Sequence, residues 1–393
     1  MSRRNHMNKK LIIIICLTFL LTGCYDYKEL NTLAVVSATE INKIDDTFYV
    51  TAQVITPQAP DKTATIQAPF IIYNSSGKTI QEAYRNIVNT SSRYLYSNHL
   101  QLLIINEKIA KEDITEIIDY YIRNPGIRTE FYVLIGKSDN ILTNITPIDE
   151  VSSASIKNSI NNNAKFLGTT SKVTFNEFAN MILNPNLEIV LPSIEIIDEQ
   201  PKGEKLENTE ETKIDTKYQL SGLAIFKNNQ LLTDLNKEES HSYNIFKNNI
   251  DNTLITYECK KDKYITLEII ASKAKVKIKN NQVTINISLT GNLNETHCQI
   301  SPNNEGSIKE ITKKIEEHLN NKIASDLTEI KNTYNSDIFG FLDSIYKHDY
   351  KTYEKIKSSW YEKTLKDISI KVNTDLLIIE KGNALEEINE KNK

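Results

Sequence analysis

The sequence predicts a mixed α/β (α+β) fold of several lobes, about three domains, in which mixed sheets carry flanking helices. Three patterns predict it. Strand-like runs alternate with amphipathic helical stretches in the first third of the chain. A long hairpin pattern occupies the second half, and an isoleucine stripe at steps of three and four marks one long amphipathic helix in the C-terminal domain. With 393 residues, the chain is longer than one core usually organises.

Taken in order, residues 33–41 and 47–55 flank Asp45-Asp46, and the second run alternates apolar and polar side chains, which predicts an antiparallel hairpin. Residues 76–90 place Ile80, Tyr84, Ile87 and Val88 on one helical face, with Ser75 or Ser76 as the cap. The run 100–105, a helix carrying Ile109, Ile114, Ile117, Ile118 and Tyr121 that ends at Asn124-Pro125-Gly126, and the run 131–135 form a strand, helix, strand series. Strands apolar on both faces belong inside a sheet covered by helices, so residues 31–150 are expected to form an N-terminal α/β domain.

Residues 156–183 read as helical, with Phe175 and Phe178 on one face, inside a small helical lobe spanning 151–197. Residues 198–215 have little to bury and are expected to be a linker or exposed loop. A C-terminal α/β domain over 216–380 opens, as a separate β unit, with 220–226 and a turn at Asn228-Asn229. It continues into a hairpin of 264–279 and 282–293 around Asn280-Asn281. Ile308, Ile311, Ile315, Leu319, Ile323, Leu327, Ile330 and Tyr334 form the helical stripe, which is expected to pack on its own sheet rather than on a partner helix. A helix over 356–363, a strand over 368–373 and a polar tail over 381–393 complete the chain.

The amino-terminal segment has a basic stretch over 1–10, an apolar run over 11–21 and the lipobox Leu21-Thr22-Gly23 before Cys24. The eleven-residue run makes a helix of roughly 16 Å, too short for a hydrocarbon core of about 30 Å. It is therefore expected to be a signal peptide over 1–23, with Met7 as an alternative start. Cys24 would take an S-diacylglyceryl and an N-acyl group, and residues 24–30 would be the lipid-anchored tether. Two or more chains hold a protein on a bilayer stably, whereas one binds reversibly. An ordinary signal peptide with a chance cysteine is the alternative.

Of the other cysteines, Cys16 leaves with the signal, and the hairpin register sets Cys298 opposite Lys263, four residues from Cys259. A disulfide between Cys259 and Cys298 and two free thiols both stand open. His297-Cys298 with Cys259 makes a poor metal site, because adjacent strand residues point to opposite faces; no metal or cofactor is expected. His99, His241 and His348 are expected to pack or satisfy local hydrogen bonds. No nucleophile, base and orienter signature occurs, and 11 glycines leave little backbone for cradling phosphates, so no catalytic residue is assigned. The net charge of −4 with dispersed basic residues excludes a nucleic-acid footprint. Tyr346, Tyr350, Tyr353, Trp360 and Tyr361 could line an interface or a satellite core.

Several segments together resemble the Ger(x)C lipoproteins, the C subunits of nutrient germinant receptors of spore-forming bacteria. They are the start Cys24-Tyr-Asp-Tyr-Lys-Glu-Leu30, with tyrosine where tryptophan is usual, then Arg93-Tyr-Leu-Tyr-Ser-Asn-His-Leu-Gln-Leu-Leu-Ile-Ile105 and Tyr121-Ile-Arg-Asn-Pro-Gly-Ile-Arg128. Leu220-Ser-Gly-Leu-Ala-Ile-Phe226, Ser336-Asp-Ile-Phe-Gly-Phe341 (followed by the departure Leu342) and Trp360 continue the match. The resemblance implies a three-lobed α/β protein without enzymatic activity, lipid-anchored on the outer face of the inner spore membrane. It also implies two integral membrane subunits as partners, in a receptor that responds to amino acids, sugars or nucleosides. Contact of this subunit with the small-molecule germinant is left open, and only Cys24 carries over as a functional residue. A solute-binding lipoprotein of a transporter is the first alternative, although its two similar lobes are not seen here. An envelope hydrolase is the second.

Overall fold

The computed structural model describes residues 29, 32–56, 69–124, 126–144, 151–197, 217–279, 281–298 and 305–380. The signal segment, Cys24 and its tether, the 198–215 segment and the 381–393 tail lie outside them.

Strands β1 (Leu33–Ile44) and β2 (Thr47–Ile55) fold back at Asp45 and Asp46. Their φ values of 48° and 57° are the left-handed pair that a two-residue hairpin turn requires. Strand β3 (Phe70–Gly77) adds to β2 and takes Ser75 and Ser76 into the sheet. The cap expected there therefore moves to Thr79, whose hydroxyl accepts the Glu82 N–H at the start of α1 (Ile80–Asn86). Ile80, Tyr84 and Ile87 are buried as the pattern predicts, whereas Val88, in the 3-10 turn that ends the helix, is exposed.

Strands β4 (Tyr94–Tyr96) and β5 (Leu102–Asn106) both pair parallel with β1. The single helix expected next is split into α2 (Glu107–Glu112) and α3 (Thr115–Arg123), because the Asp113 carboxylate accepts the Thr115 N–H and restarts the helix. Strand β6 (Tyr132–Gly136), helices α4 (Ile141–Asn144), α5 (Ser152–Phe166) and α6 (Phe175–Leu183), and strand β7 (Val190–Ile197) follow. The segment expected as a separate helical lobe is instead part of the sheet and its covers. Ile156 and Ile160 of α5 pack with Leu102, Ile104 and Leu134 on one face. Phe175 and Phe178 of α6 pack with Tyr121 and Phe131 on the other. The reason is that the central strands are apolar on both faces, and each face needs a layer of helix.

Strands β8 (Lys217–Lys227) and β9 (Gln230–Leu235), turning at Asn228-Asn229, complete this nine-stranded sheet in the order β3-β2-β1-β5-β6-β7-β8-β9, with β4 beside β1. They do not open a separate β unit. The second sheet begins after α7 (Lys237–Lys247) and runs β10 (Thr253–Lys260), β11 (Lys263–Lys279), β12 (Gln282–Thr296), then β13 (Ser369–Glu380). The β11–β12 register pairs Lys279 with Gln282 and Ile265 with Thr296, as the hairpin pattern predicts. Helix α8 (Glu305–Tyr334) lays its stripe on this sheet, burying Ile315, Ile323, Leu327 and Ile330. Its Asn320 and Glu316 also accept the Thr374 and Leu376 N–H groups of β13, covering that strand's free edge. Helices α9 (Phe341–His348) and α10 (Tyr350–Ile356) lead into a 3-10 and a π turn, which place Trp360 in the core, and a short α11 (Leu365–Asp367).

Strand β8 joins the two halves. Alternate side chains of a strand face opposite ways: Ala224 and Phe226 enter the core under α1, α3 and α6, while Leu223 and Ile225 enter the core shared with α7, α8 and the second sheet. Ser336 donates its hydroxyl to the Phe226 carbonyl at 2.8 Å. Asp337 accepts the Phe341 and Leu342 N–H groups and so caps α9.

Two predictions follow from this packing. Phe226→Ala is expected to cost about 3–5 kcal/mol and to lower the denaturation midpoint in one transition seen from both halves. The second concerns Glu40 on β1, where burial lifts the carboxyl to about 7 despite N–H bonds from residues 140–142. Its folded pKa lies above the unfolded value of 4.5, so its contribution is full below pH 4.5 and is lost as pH rises towards 7. The loss amounts to about 3 kcal/mol at most, and urea midpoints across this range should flatten in Glu40→Gln.

Candidate functional site: the cleft between the α1 and α3 helices

Strand β4 runs beside the start of β1, pairing Leu33 with Tyr94 and Val35 with Tyr96. The chain then leaves the sheet at residues 97–101 and rejoins it where Ala38 pairs with Leu102. The Gln101 N–H to Ser37 carbonyl bond, 2.9 Å, closes that excursion, and the Leu100 N–H to Ser97 carbonyl bond, 3.1 Å, shapes its apex. Facing the apex is the turn that ends α3, where Asn124 accepts the Gly126 N–H through its side chain and the Ile127 N–H through its carbonyl. A Cβ on Gly126 would sit 3.8 Å from the Asn98 side-chain oxygen, so the two turns nearly touch. The segments 93–105 and 121–128, far apart in sequence, meet here.

Between these turns and α1 lies an open cleft of about 950 Å³. Its lining combines tyrosine faces (Tyr84, Tyr94, Tyr96, Tyr120), side-chain amides (Gln81, Asn86, Asn89, Asn98, Asn124) and Arg85. Arg85 is the one charged lining residue, and among the described residues its guanidinium has no ion pair. A second cleft of about 910 Å³ shares Gln81, Arg85, Tyr94, Tyr120 and Asn124 and extends the groove past the Arg123–Asp119 ion pair. Such a lining stacks against flat groups and exchanges hydrogen bonds with amides and carboxylates.

The cleft wall is held rigid from beneath. Tyr121 lies in a ring cluster with Phe131 and Phe175, at centroid distances of 5.3 and 5.4 Å. Its neighbour Tyr120 meets it edge on at 4.9 Å and, at the border of the cleft, stacks on Tyr84 at 5.6 Å with planes 14° apart. The Tyr84 hydroxyl is hydrogen-bonded to Thr39 of β1, and burial raises the pKa of both Tyr84 and Tyr120. One residue of rotation on a helix, about 100°, separates a core tyrosine from a cleft tyrosine.

The lipobox residues Leu21, Thr22 and Gly23, and Cys24 itself, lie outside the described residues. Cys259 and Cys298 are joined as a disulfide, with Cα atoms 6.6 Å apart, where β10 meets the end of β12. His297 turns away to Glu295. Among the described residues no group of three or more His, Cys, Asp or Glu side chains could hold a metal ion. His99 is exposed beside Tyr96. His348 bonds to the Ser344 carbonyl, and burial lowers the His241 pKa to about 4 beside Thr253. Trp360 is buried, and Tyr361 donates to Glu188, which also accepts the Asn228 N–H. Tyr346, Tyr350 and Tyr353 cluster ring against ring, with Tyr346 and Tyr350 exposed.

Sequence reasoning singled out Tyr121 as a core residue but missed Tyr120, Arg85 and Asn98 as neighbours. The apolar stripe of this helix is wide enough to take adjacent residues such as Ile117 and Ile118, so spacing alone did not separate Tyr120, at the stripe's border, from Tyr121, inside it. The two tyrosines should differ sharply on truncation. Tyr121→Ala is expected to cost about 3–5 kcal/mol and Tyr120→Ala about 1 kcal/mol, read from chemical denaturation; equal losses would refute this division of roles.

Comparison with known proteins places this architecture. The model of the spore germination protein N-terminal domain matches residues 26–196, and that of the spore germination B3/GerAC-like C-terminal domain matches residues 221–382. Spore germination protein KC of Bacillus subtilis (strain 168) is 27% identical over 387 residues, covering 94% of this chain and 95% of that protein. Spore germination protein GerQC of Bacillus cereus is 23% identical, covering 95% and 99%. The crystal structure of the GerBC protein shares the fold with a TM-score of 0.51 at 17% identity, covering 87% of this chain and 96% of that one. With both halves matched in order, the chain belongs to the GerAC family of spore germination proteins.

Proposed function

We propose that this chain is the lipid-anchored, non-catalytic C subunit of a nutrient germinant receptor. It is exported through residues 1–23 and held by acylated Cys24 on the outer face of the inner spore membrane, beside two integral membrane subunits. The observation that carries the reading is the convergence of the family-like segments 93–105 and 121–128 on one open cleft whose lining is suited to contact. In the same chain, the C-terminal segments 220–226 and 336–341 make the joint between the halves.

The position of the cleft fits the anchor. Leu33, which lines it, follows Cys24 by nine residues, a reach of at most about 30 Å when extended. On this reading the cleft rides close to the headgroups, where integral subunits expose their loops. No described helix is long and apolar enough to cross a membrane; on this reading the attachment is carried by the lipid. The Cys259–Cys298 pair, closed in the mature protein, suits a compartment outside the cytosol.

A second reading gives the cleft to the nutrient itself, since about 950 Å³ falls within the range of small-molecule sites. Equilibrium dialysis of the chain against amino acids, sugars and nucleosides decides between the two.

The anchor is tested at its thiol. Cys24→Ala is expected to abolish membrane retention and nutrient-triggered germination while leaving germination by non-nutrient triggers intact. Normal retention and a normal nutrient response in that variant would refute the proposal.

A further inference from the structure

The second sheet has one face against α8 and one face open. On β11, Ala274 is buried while Lys273, Lys275, Lys277 and Lys279 are exposed. Their partners on β12 are Ser288, Asn286, Thr284 and Gln282, and the next residues across, on β13, are Asp375, Asn373, Lys371 and Ser369. Residues paired across strands share a face, and the Asn373 amide donating to Asn286 at 3.0 Å lies on this one. Five ammonium groups, counting exposed Lys371, therefore stand among hydroxyls and amides with one carboxylate, Asp375, over residues 273–279, 282–288 and 369–375; two further carboxylates, Glu268 and Glu380, flank Asn292 at the far end of the face.

None of the five lysines has an ion pair or side-chain hydrogen bond among the described residues. By contrast, Lys314 and Lys322 on α8 are paired with Glu310 and Glu238. On the same face, further along β13, Leu377 and Ile379 are 59% and 50% exposed. Unneutralised cations beside exposed aliphatic side chains form the composition of a surface that meets headgroups and the upper acyl region together.

We propose that this face docks on the anionic headgroup surface of a phospholipid bilayer, the five lysines meeting phosphates while Leu377 and Ile379 enter the interface. Alternate lysines on β11 are about 7 Å apart and neighbouring strands about 5 Å apart. The charges thus spread over a broad sheet face instead of converging on one point. A discrete anion would be held by one or two of them, whereas a field of fixed phosphates engages all five. Each lysine near an anionic surface favours association about fivefold. The tether at Cys24 would set the distance from the bilayer, and this face would set the orientation of the body. The inference rests on the membrane placement proposed above and deepens it.

The test uses the full-length lipidated chain on vesicles of phosphatidylcholine alone or of phosphatidylcholine with phosphatidylglycerol. Retention on the neutral vesicles reports the lipid anchor. Acetylation rates of individual lysines, read by mass spectrometry, report the face separately, with exposed Lys309 and Lys313 of α8 as internal references. Lys273, Lys275, Lys277, Lys279 and Lys371 are expected to react at least about fivefold more slowly on the anionic vesicles, with protection lost at high salt. In the triple variant Lys275→Gln, Lys277→Gln, Lys371→Gln, the rates at Lys273 and Lys279 should return to their neutral-vesicle values. Equal rates on both vesicle types would overturn the proposal. So would equal protection by duplex DNA, or by a second copy of the chain without vesicles. If the chain fails to stay on neutral vesicles, the anchor reading falls, and the comparison on anionic vesicles still decides the docking face.

Discussion

One strand with no solvent face carries the architecture. Residues 222–226 of β8 are all buried or backbone-confined, and their side chains alternate between two different cores. At Gly222, with φ of 119°, a side chain would collide with the Leu235 carbonyl. The Ser336 hydroxyl on the Phe226 carbonyl then fastens the helical region after α8 to the same strand. The two family domains match residues 26–196 and 221–382, yet β7 and β8 pair across that boundary, with Leu191 opposite Ala224. The division between them lies in the sequence, not in the sheet.

That arrangement explains why two groups of family-like segments have different fates. Segments 220–226 and 336–341 are consumed by the joint, where Asp337 is buried and its carboxyl, raised to about 6 by burial, is committed to backbone N–H groups. Segments 93–105 and 121–128 deliver their strand and helix residues to the core and leave Tyr94, Asn98 and Asn124 at the surface of the cleft, beside Tyr120. The cleft is therefore built on rigid elements: Tyr120 leans on Tyr84, and Tyr84 is bonded to Thr39 in the middle of the sheet.

Much of this was legible from periodicity. The hairpin at Asp45-Asp46, the strand, helix, strand series around Tyr121 and the long α8 stripe all follow from side-chain spacing. So does the register of β11 on β12, because one buried face fixes it. What failed was assignment across distance. Residues 220–226 have the pattern of a strand whichever sheet they join, and only tertiary packing places them beside β7. The helices α5 and α6 carry apolar faces that fit a separate lobe as well as a sheet. Strand β10 and helix α7 were not foreseen: β10 is amphipathic and short, and α7 begins in polar residues whose role is the Asn236 capping box. The lysine alternation over 273–279 was visible as letters. Its meaning depended on knowing which face α8 covers.

The closing strand of the second sheet has a consequence of its own. β13 pairs parallel with β12, and Asn373 meets Asn286 across a separation of 87 residues. The β11–β12 ribbon must therefore wait, one edge unpaired, until residues 369–380 have emerged and the intervening chain has wound through α8 to α11. Closing a loop of that length carries an entropic cost before any contact repays it, and long-range parallel pairing is slow for that reason. A ribosome or translocase that stops before the last strand leaves a half-built sheet with an open edge, which is the form most prone to associate with other chains.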